Sequence, residues 1–215
     1  MAVKLNFEEL KITFDGDVTS PISFSCEDGD IVALILSRDF YDKALLNFLH
    51  FLPDEYEGNA VFQGKEFKLF TQEDKHNWQK TFASLTMHYP LINNLKVVEN
   101  VYLPIFYREN AKEELLFEKA YNILTQLGIE KKYNQLPALL SNFEKKLAIF
   151  ARVKMLEPAI IYYGNVFAEL DEDKRQYLSG KILEFHAERE DRVSIVTARS
   201  ENELKEIKFN KIIKV

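Results

Sequence analysis

Residues 37–44 are the first place in the sequence where side chains and their spacing suggest chemistry. They follow an apolar run at 31–36, and in an α/β protein the loop after such a strand is a common phosphate site. A phosphate-binding loop needs glycines, so that the backbone can wrap the phosphates, and Lys with Ser or Thr for phosphate and magnesium. This segment has no glycine, and Lys43 is not followed by Ser or Thr. We therefore expect Lys43 to be a solvated helix lysine.

Two aspartates in the same segment suggest what replaces a phosphate. Asp39 is a favoured residue type for a helix N-cap, and Asp42 follows three positions later. We expect their carboxylates to accept the hydrogen bonds of the amides that begin the next helix, which a phosphate would otherwise accept. Their charge would repel a bound anion, and the bulky side chains of Phe40 and Tyr41 would block it.

A second segment lies where a nucleotide-hydrolysing enzyme places its metal ligand and its base. Residues 160–163 form an apolar run that leads through a turn to a helix for which Asp171 is the predicted cap. Such an enzyme needs an Asp for magnesium and a residue that activates or orients the attacking water. The sequence has Gly164 and Asn165 instead, neither of which carries negative charge. These positions therefore predict no catalytic residue and no metal site.

The composition favours a packed cytoplasmic protein. Of the 215 residues, 47% are hydrophobic and 13% aromatic, which is ample for a core. The net charge of -6 argues against nucleic acid as a partner. Cys26 is the single cysteine, so we expect a buried, inert thiol and no internal disulfide. No apolar run approaches the ~20 residues that cross a bilayer, so we expect no direct membrane insertion.

Periodicity predicts alternating strands and helices around a helical insert. The predicted strands are 3–14, 22–26, 31–36, 60–63, 159–163, 192–197 and 208–215. The predicted helices are 41–52, which ends at Pro53, and 71–80, 97–108, 112–127, 141–156, 171–188 and 201–206. This order predicts an α/β fold in one domain over 1–215, with a core of about 1–86 and 157–215, an α lobe of about 87–156 and a β-rich side sheet.

These segments, in this order, resemble the ATPase subunit of ABC transporters over nearly the whole chain. The similar segments are 29–35 (the strand before the phosphate loop), 87–91 and 95–104 (the glutamine-loop segment and the first α-lobe helix), 140–152 (the signature segment and its helix), 166–171 (the stretch after the magnesium-binding Asp) and 196–198 (the switch-histidine segment). The resemblance implies the phosphate-loop-ATPase-like fold of the ABC nucleotide-binding domain, with a β-rich side sheet and an inserted α-helical lobe.

The chain departs from that family at every position of the family's chemistry. The substituted positions are Asp42 at the phosphate-loop lysine, Met87 at the glutamine, Asn142 and Phe143 at the signature glycines, Gly164 at the magnesium Asp, Asn165 at the catalytic Glu and Ala198 at the histidine. Ser141 and Asp171 match, but both are also explained as helix caps, Ser141 with Glu144.

From these departures we predict a degenerate subunit, a pseudo-ATPase rather than an enzyme, that binds no cofactor. Its vestigial positions would be Asp39, Asp42, Lys43, Gly164, Asn165 and Ser141. It would act as a structural or regulatory component of a membrane transporter.

The resemblance also implies partners. A coupling helix of an integral-membrane permease would enter the groove between core and α lobe, and the residues expected to line it are Met87, His88, Tyr89, Pro90, Leu91, Tyr102 and Phe106. Packing inside the α lobe explains the same residues about equally well. The chain would form a homodimer, or a heterodimer with another ATPase subunit, in the cytoplasm on the inner face of the plasma (inner) membrane.

Residues 167–171 are most similar to the ATPases of Mla/Mce-type lipid transporters, which favours a lipid or export system. Two alternatives remain open. The chain is either an unconventional ATP-binding subunit that uses ATP and magnesium together with a partner ATPase, or a free-standing interaction protein without a permease.

Overall fold

A computed structural model describes residues 3–52, 55–109 and 111–215. The strands are β1 (Val3–Phe14), β2 (Asp17–Val18), β3 (Ile22–Glu27), β4 (Ile31–Ile35), β5 (Glu55–Phe62), β6 (Lys65–Glu66), β7 (Phe82–Leu85), β8 (Ile160–Tyr163), β9 (Val193–Ala198) and β10 (Lys211–Lys214). The α helices are α1 (Asp39–Leu49), α2 (Gln72–Thr81), α3 (Val97–Glu109), α4 (Glu113–Gln126), α5 (Asn142–Leu156) and α6 (Glu172–Ala187). Short 3-10 helices cover Phe67–Leu69, Glu130–Lys132, Pro137–Leu139 and Glu201–Leu204.

A five-stranded parallel sheet forms the centre, in the order β10-β4-β9-β8-β7. Every residue of β8 and β9 is buried, as expected of strands that are covered on both faces. Alternate side chains point to opposite faces. Tyr162 and Ile195 therefore join one core cluster, with the side sheet and α1, whereas Tyr163 and Val196 join the other, with the later helices.

The side sheet is antiparallel, and β1 is its central strand. It pairs with β2, β3 and β5, and β5 in turn pairs with β6. Phe7 on β1 packs edge-on against Phe24 of the neighbouring strand, at 4.9 Å, and against Phe48 of α1, at 5.7 Å. These aromatic contacts hold α1 between the two sheets.

The helices α3, α4 and α5 pack against one another and form the α lobe. Buried Asn100 of α3 organises the loop before this helix, because the two N–H groups of its Nδ2 are shared among the carbonyls of Ile92, Leu95 and Lys96, each 3.1 Å away. All three helices lie between β7 and β8, within the segment predicted as the α lobe. No helix in the described ranges has the length and apolar character that a membrane crossing requires.

Most predicted elements are present, with shifted ends. Helix α1 is Asp39–Leu49 rather than 41–52, and Pro53 lies outside the described residues. The predicted strand 60–63 is the end of the longer β5, and the closing strand is Lys211–Lys214 rather than 208–215. Strand β7 was not predicted, because its four residues follow α2 directly and show no periodic pattern.

Candidate functional site

A crevice lies at the carboxyl ends of β4, β8 and β9, the position at which parallel α/β sheets bind ligands. It has a volume of about 180 Å³, and its lining residues are Leu36, Arg38, Asp39, Asp42, His88, Asn165, Thr197, Ala198 and Arg199. The phosphate-loop, magnesium, base and switch-histidine positions of the sequence resemblance thus meet at one place. The site is built from residues up to 163 positions apart in the chain, from Leu36 to Arg199.

The buried carboxylate of Asp42 forms the floor of the crevice. Its Oδ1 accepts a hydrogen bond from the Tyr162 hydroxyl at 2.7 Å and another from the Thr197 hydroxyl. Thr197 Oγ1 in turn accepts the Asn165 N–H at 2.9 Å. Burial, reinforced by the Asp42 charge, raises the pKa of Tyr162 well above its usual value, so the phenol remains a donor. Asp42 is therefore held between the ends of β8 and β9.

Gly164 leaves the space that this carboxylate needs. A Cβ added at residue 164 would lie 3.0 Å from a ring carbon of Tyr162, 3.2 Å from Asp42 Oδ2 and 3.2 Å from Thr86 Cβ. These distances are tighter than ordinary packing, so a larger residue would press on the Asp42 cluster. Glycine at this position is thus explained by packing in the present site.

The predicted capping by Asp39 and Asp42 is wrong. Arg38 occupies the N-cap position of α1, and its side chain makes no capping hydrogen bond within the described structure. Asp39 is the first helical residue and forms an exposed ion pair with Arg199. Asp42 points away from the helix amides, because the hydroxyls of Tyr162 and Thr197 offer it stronger, charge-assisted partners in a buried place.

The predicted aromatic block is also wrong. The Tyr41 hydroxyl bonds to Ser20, accepting its backbone N–H at 3.0 Å, and Phe40 packs edge-on against Tyr41. Neither ring lines the crevice. Lys43 is exposed, and its Nζ lies 5.2 Å from the ring of Phe14, in agreement with a solvated helix lysine. The carboxylate of Asp42, not an aromatic ring, fills the floor.

Residues 87–91 connect the crevice to a second cavity. His88 Nε2 lies 3.6 Å from Asp42 Oδ2 on the crevice side. On the other side, the Tyr89 hydroxyl donates to Asn47 Oδ1 at 3.2 Å. Arg152 fixes this segment to α5, because its guanidinium donates to the carbonyls of Tyr89, at 2.7 Å, and Pro90, at 3.2 Å.

The second cavity, of about 350 Å³, is a groove between the central sheet and the α lobe. Its lining includes Leu49, His50, Trp78, Phe82, Tyr89, Pro104, Arg108, Arg152 and Leu156. Of the residues predicted to contact a partner, Tyr89 lines this groove and His88 lines the crevice. Met87, Pro90 and Phe106 are exposed. Leu91 and Tyr102 are buried in the α-lobe core, so for these two the partner prediction is wrong and the packing alternative holds.

The two matching family positions are helix caps in the structure. Ser141 and Glu144 form a complete capping box at the start of α5, and the hydrogen bond from the Ser141 N–H lowers the pKa of Glu144. Asp171 caps α6 by accepting the Lys174 N–H at 2.9 Å. Phe143 packs against Tyr177, with ring centroids 6.1 Å apart. Cys26 is buried in β3, and burial raises the pKa of its thiol to about 12, as expected of an inert thiol.

Magnesium-ATP does not fit the crevice in the manner of a phosphate loop. The buried carboxylate of Asp42 lies on its floor, where a triphosphate would meet negative charge, and Gly164 and Asn165 supply no carboxylate for a metal. Among the residues that the structure describes, no three His, Cys, Asp or Glu side chains are grouped so that they could hold a metal ion.

Sequence reasoning missed three residues that line the crevice, Arg38, Thr197 and Arg199, and also Tyr162, which lies beneath its floor and holds Asp42. Tyr162 and Thr197 lie within apolar strand segments. The signal that could have identified them is their hydroxyl group, because a buried hydroxyl needs a hydrogen-bond partner. The arginines flank the substituted loops and carry no distinctive spacing. Their assembly depends on which strands are neighbours.

No protein-family model matches the chain. The lipoprotein-releasing system ATP-binding protein LolD of Buchnera aphidicola is 25% identical over 179 residues, which cover 81% of this chain and 78% of LolD. The methionine import ATP-binding protein MetN of Chlamydia pneumoniae is 25% identical over 178 residues, 81% of this chain and 52% of MetN. The macrolide export ATP-binding/permease protein MacB of Mannheimia succiniciproducens is 27% identical over 201 residues, 91% of this chain and 31% of MacB. The chain thus spans about half of MetN and about a third of MacB.

Solved structures agree on the fold. The dimeric structure of MJ0796, a bacterial ABC transporter cassette, superposes with a TM-score of 0.82 at 17% identity and covers 98% of this chain and 94% of that one. The cbiO1 protein of Clostridium perfringens, part of the ABC transporter complex cbiONQ, gives a TM-score of 0.73 at 18% identity. The match covers 92% of this chain and 79% of cbiO1.

These relatives overturn one prediction. The chain was expected not to be an enzyme, but the similar proteins are ATP-binding subunits, and this kinship points to an ATPase. The chain has the ABC ATPase cassette fold and is similar in sequence to the ATP-binding proteins LolD, MetN and MacB.

Proposed function

We propose that the chain is an unconventional cassette subunit of an ABC transporter, which acts with an integral-membrane permease and a second cassette chain. The observation that carries this proposal is the open groove between the central sheet and the α lobe in a chain with the complete cassette fold. The names of the relatives support a transport role, since they belong to lipoprotein-releasing, methionine import and macrolide export systems.

The groove suits an amphipathic helix of a permease. Trp78, Phe82, Pro104 and Leu156 give it apolar walls, and Arg108 lies at its rim. An amphipathic helix places its apolar face in such a groove and its polar face toward the rim. Buried aromatic side chains are also typical energetic centres of interfaces.

Purification of the tagged full chain from detergent-solubilised membranes tests this proposal. We expect an integral-membrane protein to be recovered with the wild-type chain. Arg108→Glu, which reverses the charge at the groove rim, should reduce this recovery at least about tenfold, or about 1.4 kcal/mol. The control Lys205→Glu makes the same charge change at another exposed position and should have no effect.

Recovery of the chain without any integral-membrane protein would contradict the proposal and favour a free-standing interaction protein. Equal recovery with both variants would place the permease contact outside the groove.

ATP would have to be used in an unconventional way, with the second cassette supplying contacts that this crevice lacks. Because of the Asp42 carboxylate, we expect the isolated chain to bind magnesium-ATP with a Kd no tighter than ~1 mM, about -4 kcal/mol. Isothermal titration of the pure chain measures this. Saturable micromolar binding would show that the chain binds nucleotide without a partner, by a geometry other than a phosphate loop.

The second cassette is either another copy of this chain or a different ATPase subunit. ATP turnover by the purified complex, compared with turnover by this chain alone, measures what the complete assembly adds. We expect turnover in the complex and little in the isolated chain. The mass of the complex and the identity of its subunits distinguish a homodimer from a heterodimer.

We infer a cargo of the lipid or export type and a location on the cytoplasmic face of the membrane. The similarity of residues 167–171 to Mla/Mce-type ATPases supports a lipid, and the names of LolD and MacB support outward transport, whereas MetN is named for import. Transfer of a fluorescent phospholipid by the complex in vesicles tests the cargo. Transport of methionine but not of the phospholipid would contradict it.

A further inference from the structure

The crevice floor offers hydrogen-bond acceptors that the protein itself does not use. Asp42 Oδ1 is bound by two hydroxyls, whereas Oδ2 lies 3.6 Å from His88 Nε2, which is longer than a hydrogen bond. The amide oxygen of Asn165, another lining residue, is buried and has no hydrogen-bond partner in the described part of the chain. A buried acceptor without a donor, such as the Asn165 oxygen, is costly, and Asp42 Oδ2 adds a carboxylate oxygen beside it. A ligand that brings positively charged N–H groups would satisfy them.

The crevice rim, in contrast to the floor, carries positively charged side chains. Arg38 and Arg199 line it, and α1 begins at Asp39, another lining residue, without a side-chain cap, so the positive end of the helix dipole lies at the crevice. Arg199 is paired with Asp39, but both side chains are more than half exposed, at 61% and 69%. Such an exposed ion pair contributes little to stability. A ligand carboxylate could therefore displace Asp39.

We propose that this crevice binds a small zwitterion of the α-amino-acid type. Its ammonium group contacts Asp42 and Asn165 on the floor, and its carboxylate contacts Arg38, Arg199 and the first amides of α1 at the rim. Arg38 and Asp42 both line the crevice, so opposite charges are available to the two groups of one small ligand.

The size of the crevice limits the ligand. Its volume, about 180 Å³, is far above the roughly 10–15 Å³ that one water needs. It is below the ~300 Å³ at which pockets for drug-sized molecules begin. An amino acid with a small side chain is of suitable size, and Leu36 and Ala198 provide an apolar wall for that side chain.

Charge distinguishes the zwitterion from simpler ligands. A phosphate or carboxylate without a positive group would meet the buried charge of Asp42, and an amine without a negative group would meet two arginines. A zwitterion satisfies both ends and adds no net charge. This inference is independent of the transporter proposal, because it concerns the isolated chain.

Titration calorimetry of the pure full chain tests the proposal. The probes are glycine, L-alanine and L-serine, with acetate, methylammonium and inorganic phosphate titrated in parallel. We expect saturable binding of at least one amino acid, and binding of the three single-function ions that is at least about tenfold weaker. The proposal is overturned if no amino acid saturates, or if acetate or phosphate binds as tightly as the best amino acid.

Three variants assign the binding to the crevice. Asp42→Asn keeps an acceptor for Tyr162 and Thr197 but removes the charge, and it should weaken amino-acid binding at least about tenfold. Arg38→Gln, at an exposed position, should weaken it several-fold without disturbing the core. The control Asp173→Asn makes the same charge change as the first variant on exposed α6 and should bind like wild type. Wild-type affinity in both crevice variants would also overturn the proposal.

Discussion

Single residues explain why the crevice differs from a phosphate loop. Asp42 is buried and accepts hydrogen bonds from two strands, while Gly164 leaves room for its carboxylate. Residues that were interpreted as vestiges of a lost site therefore have contacts of their own. Their presence follows from packing and hydrogen bonding in the structure as it stands.

Replacing Asp42 should show how much this cluster contributes to stability. Asp42→Ala leaves the buried hydroxyls of Tyr162 and Thr197 without their acceptor, and each unsatisfied group costs about 1–3 kcal/mol. Asp42→Asn retains an acceptor oxygen and should cost clearly less. Urea unfolding of both variants measures the difference. Equal losses would mean that the charge of Asp42, not its acceptor role, stabilises the fold.

His50 should make the stability depend on pH. Burial lowers the pKa of His50 to about 4 from 6.5, and its ring packs edge-on against Phe82 and Tyr89. Since the unfolded chain takes up the proton first, the free energy of unfolding should fall as the pH drops from about 6.5 towards 4. At 1.36 kcal/mol per pKa unit, the upper limit is on the order of 3 kcal/mol.

Urea unfolding at pH 7.5 and at about pH 4.5 tests this for His50→Asn and for the control His76→Asn, which replaces an exposed histidine. The loss on acidification should be smaller in His50→Asn than in wild type and unchanged in the control. An identical pH dependence in all three proteins would show that His50 is not the group responsible.

At the scale of elements, the turn between β8 and α6 is held from outside. Asn165 and Glu169 have φ of +47° and +64°, a left-handed conformation that is unfavourable for most residues with a side chain. Lys146 of α5 donates to the carbonyls of Val166 and Ala168, each at 2.8 Å. Burial lowers the pKa of Lys146. The hydrogen bonds to these two carbonyls compensate for the cost of burying its ammonium group.

Lys146→Met should therefore loosen this turn. Two carbonyls lose a charged donor, and we expect a loss of about 1–3 kcal/mol. Amide hydrogen exchange across residues 164–171 should become faster, by more than in the rest of the chain. The neighbouring Lys145→Met is the matched control, since Lys145 is less buried. Unchanged exchange in Lys146→Met would mean that backbone contacts alone hold the turn.

At the scale of the whole molecule, the two core clusters share the parallel sheet. One face packs on the side sheet and α1, and the other packs on the α-lobe helices and α6. Loss of either cluster would expose one face of β8 and β9. The clusters should therefore unfold together.

Trp78, the single tryptophan, lies in the side-sheet cluster, so its fluorescence reports that half of the molecule. Far-UV circular dichroism reports mainly the helices, many of which lie in the other half. We expect urea transitions from the two probes to coincide, as in two-state unfolding. Helix loss at lower urea than the fluorescence change would show that the α lobe unfolds independently.

The sequence by itself determined the strands, helices and helix caps that depend on residues close together in the chain. The apolar runs predicted the buried strands, and helical spacing predicted α3, α4 and α5. Residue types at helix starts predicted the caps Ser141 and Asp171, both of which the structure contains. These signals are short-range, because caps and amphipathic faces act within one or two turns.

Only the tertiary structure decided what Asp42 does. Its hydrogen-bond partners lie 120 and 155 residues further along the chain, and they reach it because β8 and β9 are adjacent and parallel. The same long-range packing buries Leu91 and Tyr102 in the core. It also places Arg38 and Arg199 at the crevice rim. A buried carboxylate takes the strongest donors within reach, and strand order and register determine which donors those are.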